Sequence, residues 1–146
     1  MELKGFTTKM AEAINAAQQL AAEKYHQEVT TKHLLAALLK QEGGQTLRYI
    51  NLAGANQQII QQRIEELLQK IPAVYGYTGS LRLSMVLSRV LAQSEKEAKA
   101  LKDEYISVEH FLLAVIEEGE PELKNLFQTA GFNRTTLLNA LRSVRG

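Results

Sequence analysis

A chain of 146 residues, 45% hydrophobic and 23% charged, has the composition of one ordinary globular domain, long enough to bury roughly two thirds of its unfolded surface. Seventeen Lys and Arg against sixteen Asp and Glu leave a formal charge of +1, which gives no global pull toward nucleic acid or anionic lipid. The lack of cysteine excludes disulfide and thiol chemistry and fits a reducing, cytoplasmic setting. No apolar run approaches the roughly 18 residues of a membrane span, and the first ten residues lack the apolar stretch of a signal peptide.

The chain reads as helices with short joints. Thr7 is the expected N-cap of the first, on which Met10, Ala13, Ile14, Ala17, Leu20, Ala21 and Tyr25 fall on one face at helical spacing. A second runs from Thr31 to about Gln41 behind Thr30 as N-cap, with Val29 and Leu34 placed as a hydrophobic staple, and stops at Gly43-Gly44. A short helix from Thr46 to Leu52 ends on Ala53-Gly54, and Asn56 caps a fourth whose stripe is Ile60, Ile64, Leu67 and Leu68. The segment IPAVYGYTGS, residues 71–80, breaks the pattern with one proline and two glycines and reads as a joint.

Beyond the joint the same pattern returns. His33 and His110 stand 77 positions apart (110 − 33), and at that offset Phe6 lies over Leu83, Met10 over Leu87, Ile14 over Leu91 and Ala21 over Ala98. Thr30 falls on Ser107, Val29 on Ile106, and Ala53-Gly54-x-Asn56 on Ala130-Gly131-x-Asn133, while Pro121 opens the short helix of the second copy. After Ser107, with Ile106 and Phe111 as the staple, the run FLLAVI is apolar on every side, the mark of a buried central helix. The expected fold is all-α, with eight helices as two pseudo-symmetric four-helix repeats. A single domain spans 1–146, divided into a repeat over about 6–70, a joint over 71–82 and a repeat over about 83–146. Leu35, Leu38 and Leu112 are expected in its core.

Catalytic chemistry is hard to place. There is no G-x-x-x-x-G-K-[ST] loop for a nucleotide, and none of the three histidines has zinc-ligand spacing with a partner on one face. His33 and His110 sit at the third position of matching helices, where the first-turn amides favour a neutral, hydrogen-bonded imidazole with a structural role. Glu109 adjoins His110 in sequence but points to another face, and the run from Glu95 to Glu104 reads as a solvated helix face. Arg134, Arg142 and Arg145 cluster near the C-terminus, but acidic residues are interspersed throughout and no helix carries a one-sided basic stripe. No active site, no metal site and no nucleic-acid surface is expected.

The doubled pattern T-x-x-H-L-L-x-A-L and S-V-E-H-F-L-L-A-V, each followed by an A-G-x-N turn, resembles the Clp amino-terminal domain that heads AAA+ protein unfoldases. The likeness runs from Phe6 to Arg145. The phrases LLKQEGG, IPAVYGYTGS and KDEYISVEHFLLAV resemble those of the ClpB disaggregases. Thr31-Lys32-His33 departs from the T-E-H that ClpC-like domains carry in both halves.

The resemblance implies a recognition module rather than a catalyst. It would sit on a flexible linker above a hexameric ATPase ring, engage unfolded or aggregated polypeptides and pass them to the pore. The partners implied are those polypeptides, the rest of the ring and the DnaK chaperone system, with ATP and magnesium belonging to the longer protein and no cofactor to this chain. By itself the chain is expected to be a monomer. A ClpC- or ClpA-like unfoldase, or a standalone adaptor to a protease, is the alternative. The resemblance also carries three substrate-binding positions onto Thr7, Asp103 and Glu109, which read as a polar edge outside the core. The apolar groove for substrate is expected between the two halves.

Overall fold

The computed structural model describes residues 2–146; residue 1, where the expected domain begins, lies outside the described residues. Eight helices and two two-residue strands follow one another as α1 (Thr8–Glu23), β1 (Glu28–Val29), α2 (Thr31–Lys40), α3 (Thr46–Leu52), α4 (Gln57–Gln69), β2 (Arg82–Leu83), α5 (Met85–Ala100), α6 (Val108–Glu118), α7 (Pro121–Ala130) and α8 (Arg134–Arg145). The architecture is all-α.

Local chemistry sets the helix ends. Thr7 accepts from the Met10 amide, and Ser84, at the same place 77 positions on, accepts from Leu87. Asn56 caps α4 through Ile59, and Asn133 caps α8 through Thr136. Gly54 and Gly131 take φ of 75° and 79° where α3 and α7 end, a left-handed turn that a side chain would strain. Two non-glycine residues share that conformation, Tyr25 at φ 60° and Lys102 at φ 61°, and each turns the chain out of a long helix. The next amides, His26 and Asp103, both reach back 2.9 Å, to the carbonyls of Ala21 and Ala98. A loss of about 1 kcal/mol is expected for Thr7→Ala, since the capping oxygen goes and little else does; thermal unfolding followed at 222 nm measures it.

The two halves interlock. The strand before α2 pairs in parallel with the strand before α5, Glu28 against Arg82 and Val29 against Leu83. The mirror contact joins the other two entries, Phe6 bridging Ile106, with the Thr7 amide on the Ile106 carbonyl at 2.9 Å. Helices cross as well: α4 packs on α7, α3 on α8, and α2 on α5. Each half therefore completes backbone pairing and core that the other leaves open.

At the centre lie α2 and α6. Every residue from Val108 to Val115 is buried, as the all-round apolar run requires, and Leu35, Leu38 and Leu112 are in the core. The reading of residues 95–104 as a solvated face needs correction at one place. Glu97 is 4% exposed: its carboxylate takes Arg134 Nη2 at 2.8 Å and Nη1 at 3.0 Å, and Gln93 Nε2 at 2.9 Å. Burial pushes this carboxyl up, but the hydrogen bonds from Arg134 and Gln93 outweigh it and hold it below the usual range. Arg134 also reaches Glu117 on α6 at 3.3 Å and so clasps the α5–α6 pair from α8.

Candidate functional site

Thr7 lies far along the chain from Asp103 and Glu109, and interlocking brings the two segments together. Thr7 caps α1, while its amide hydrogen-bonds Ile106 in the segment that leads into α6. Asp103 follows the left-handed turn at Lys102, which folds it back toward α6. Glu109 stands in the first turn of α6, where helix amides favour a negative charge.

One cation joins the two acids. Arg145 in the last turn of α8 gives Nη2 to Asp103 Oδ2 at 2.9 Å and to Glu109 Oε2 at 2.9 Å, and Nη1 to Asp103 Oδ1 at 3.3 Å. Asp103 Oδ2 also takes His110 Nε2 at 2.7 Å. Burial alone would raise the Asp103 carboxyl, but hydrogen bonds from Arg145 and His110 lower it. Burial likewise pushes Glu109 up, and hydrogen bonds from Ser107, its own backbone amide and Arg145 bring it below the usual range. Both groups are ionised at neutral pH. Beneath them Tyr49 is raised by burial and by the Glu109 charge.

The edge is less open than its sequence suggests. Glu109 is 9% exposed, so it is a buried, paired carboxylate rather than a free rim group, and truncating it leaves Arg145 short of a partner. Asp103 and Thr7 are half-buried. Sequence reasoning missed Arg145, having weighed it only as part of a basic cluster. A helix ending in arginine, packed where two acids must be neutralised, is visible only once α8 is placed.

His33 and His110 are capped alike but partnered differently. Each closes a capping box, with Nδ1 on the Thr30 amide at 2.9 Å or the Ser107 amide at 2.9 Å. The outer nitrogen of His110 meets Asp103, whereas that of His33 meets His26 Nδ1 at 2.8 Å. His26 occupies the place that Asp103 holds 77 positions later, so the same offset could have paired these residues in advance. Burial, then the nearby His26, Lys32 and Lys24, lower His33 to about 4, which leaves it neutral at pH 7. Among the described residues no group of His, Cys, Asp and Glu is arranged to hold a metal ion.

Hollows lie on either side of the first half. One of about 420 Å³ runs between α1 and α2 over Ala13, Ala16, Leu20, Ala36 and Ala37, with Glu12, Glu23 and Lys40 at its margin. Another of about 400 Å³ lies where the joint crosses from one half to the other, between Thr30, Lys32, Ile71, Pro72, Tyr77 and Arg82. The apolar groove is thus within a half, and the hollow between the halves is mixed in polarity. The pseudo-symmetric place in the second half differs because Arg134 crosses from α8 to Glu97 and Glu117, where the first half carries Leu20 and Lys40.

An all-α double repeat with a histidine-closed cap in each half matches one family model, the Clp repeat (R) N-terminal domain, over residues 5–130. The chain belongs to that family. It is 40% identical over 149 residues to the chaperone protein ClpB of Bacillus cereus, an alignment covering 100% of this chain and 17% of the relative. The chain therefore spans about a sixth of the curated relatives it matches. Among solved structures, the Hsp104 N-terminal domain from Candida albicans superposes with a TM-score of 0.82 at 26% identity, covering 98% of this chain and 93% of that one. A ClpV N-domain in complex with a VipB peptide shares the fold, with a TM-score of 0.71 at 19% identity, covering 89% of this chain and 84% of that one.

Proposed function

We propose that this chain is the substrate-recognition N-terminal domain of a ClpB-like, ATP-dependent protein disaggregase. It engages unfolded or aggregated polypeptide at the edge formed by Thr7, Asp103 and Glu109 and delivers it to a hexameric ATPase ring. It catalyses nothing itself and works in the cytoplasm with the DnaK system. The observation that carries this reading is the convergence of Asp103 and Glu109 on one guanidinium, beside the Thr7–Ile106 strand contact, in a chain of this family. A fold neighbour solved with a bound peptide supports the same class of ligand.

The physical logic is that of a weak, tolerant contact. Two carboxylates share the single guanidinium of Arg145, so one negative charge is left over, and it is presented to passing cationic segments at half-buried Asp103 without demanding a sequence. Ordering a disordered segment costs several kcal/mol, so affinity per domain is low. Six copies on a ring restore avidity through effective concentration.

The experiment places Asp103→Ala and Glu109→Ala in the longer ClpB-like protein and follows recovery of a heat-aggregated enzyme. Recovery is expected to fall while basal ATP hydrolysis stays unchanged. Because Glu109 is buried and paired, its melting temperature must be read alongside, and Asp103→Asn, which keeps size and one acceptor, separates charge from packing. Full recovery by both alanine variants, or losses that only track stability, would reduce these residues to structural ones.

A further inference from the structure

We propose that the groove between α1 and α2 docks a helical segment of a partner, apolar on one face and carrying basic residues three turns apart. The pseudo-symmetry shows how the groove arises. At the 77-residue offset Ala13 answers to Val90 and Ala36 to Leu113, all four buried, so two smaller side chains lower the floor in the first half. Exposed Ala16 and half-buried Ala37 continue that floor, and Leu20 lines it. In the second half the place of Leu20 belongs to Glu97, and Arg134 reaches over from α8 to bind it at 2.8 Å. The chain thus covers this place in one half and leaves a hollow of about 420 Å³ in the other, a size usual for ligand sites.

The margin defines the charge of the occupant. Glu12 and Glu23 are exposed and line the hollow, and among the described residues neither forms an ion pair. Nearby cations are turned elsewhere. Lys40 gives Nζ to Glu65 on α4 at 2.9 Å, Lys9 gives Nζ to the Glu42 carbonyl at 3.0 Å, and Lys24 lines the hollow on the joint side of α1. The groove is therefore apolar at its floor, with a free carboxylate at each end of its α1 wall. Eleven residues (23 − 12) separate the two acids. That is about 16 Å of helix and roughly three full turns, so both stand on one face of α1.

The backbone decides the form of the occupant. Both walls are helices, so the amides and carbonyls along the floor are already hydrogen-bonded within α1 and α2. An extended segment laid there would bury its own amides against alanine side chains with nothing to pair them. A helix brings its backbone satisfied, and a floor of alanines lets it approach closely. Lysines or arginines eleven positions apart on that helix share one face at the same spacing as Glu12 and Glu23, with apolar residues between them over the floor. The groove is separate from the proposed polypeptide edge, since Thr7, Asp103 and Glu109 do not line it.

The test titrates ¹⁵N-labelled chain with a helix-forming peptide that carries leucines on one face between two lysines eleven positions apart. One control peptide has glutamates for the two lysines, and another has a central proline. Shifts are expected at Ala13, Ala16, Leu20 and Ala37, and each control should bind about tenfold more weakly. On the protein side Ala16→Gln keeps a good helix former while filling the floor, and it should weaken the lysine peptide about tenfold. Glu12→Gln together with Glu23→Gln should weaken it about fivefold. All three positions are exposed, and an unchanged spectrum away from α1 and α2 identifies variants that remain folded. Equal binding of the glutamate peptide would overturn the charge match, and equal binding of the proline peptide the helical form; either sinks the proposal. No shifts at near-millimolar peptide would sink it too. So would shifts confined to Thr7 and residues 103–110, an outcome that leaves the polypeptide edge standing.

Discussion

Replacing Leu112 with alanine is expected to destabilise the fold by about 2–5 kcal/mol, a large share of what a domain of this size has. Leu112 is 0% exposed in the middle of α6, the helix on which α3, α5, α7 and α8 all pack. Removing three carbons there forfeits their transfer from water and leaves a cavity that four helices cannot close together without losing contacts elsewhere. The counterpart Leu35 in α2, also 0% exposed, should respond in the same range. Urea unfolding followed at 222 nm gives the number. An unchanged midpoint for Leu112→Ala would mean that α6 is not the centre of the molecule.

The second large effect concerns charge. Arg134→Ala should cost about 2–4 kcal/mol, at or below the usual cost of breaking a buried ion pair, because the Arg134 side chain is 40% exposed and Gln93 still serves Glu97. What remains is a carboxylate 4% exposed with its main partner gone. The sign with pH follows. The Glu97 carboxyl is lowered in the folded chain, so its contribution is full above the unfolded carboxyl range and fades as pH falls through the lowered value. The parent should therefore lose more stability than Arg134→Ala on going from pH 6 to pH 3. The double variant Arg134→Ala, Glu97→Leu should regain much of the loss, since an apolar side chain there needs no counter-ion; Leu20 is the residue at this place in the first half. Failure of the double variant to improve on the single one would show that Arg134 acts by packing rather than charge.

These two sites mark where the sequence was legible and where it was not. Caps, turns and core were readable because each obeys a local rule. Thr7 and Asn56 offer an oxygen to an amide three residues on, Gly54 and Gly131 take a backbone angle that other residues resist, and the run after His110 is apolar around the whole helix. The helix from Thr46 to Leu52 ends where its Ala-Gly stop puts it. Partners distant in sequence were not readable. Glu97 is 37 residues from Arg134, and Arg145 is 42 from Asp103 and 36 from Glu109; a charge in a helical run looks solvated until its opposite is brought beside it. For the same reason Glu109 was expected at an open edge and is instead a buried member of a pair. Strand pairing between the two halves, Phe6 with Ile106 and Val29 with Leu83, involves too few residues for any period to declare it.

The central claim is that the Thr7–Asp103–Glu109 edge touches unfolded polypeptide, and titration of ¹⁵N-labelled chain with a permanently unfolded, reduced and alkylated protein tests it most directly. Binding is expected to be weak and in fast exchange, with shifts concentrated at Thr7, at Asp103 to His110 and at the Arg145 side chain, and with Asp103→Ala reducing them. Shifts confined to other surfaces, or none at near-millimolar polypeptide while the chain stays folded, would contradict the account.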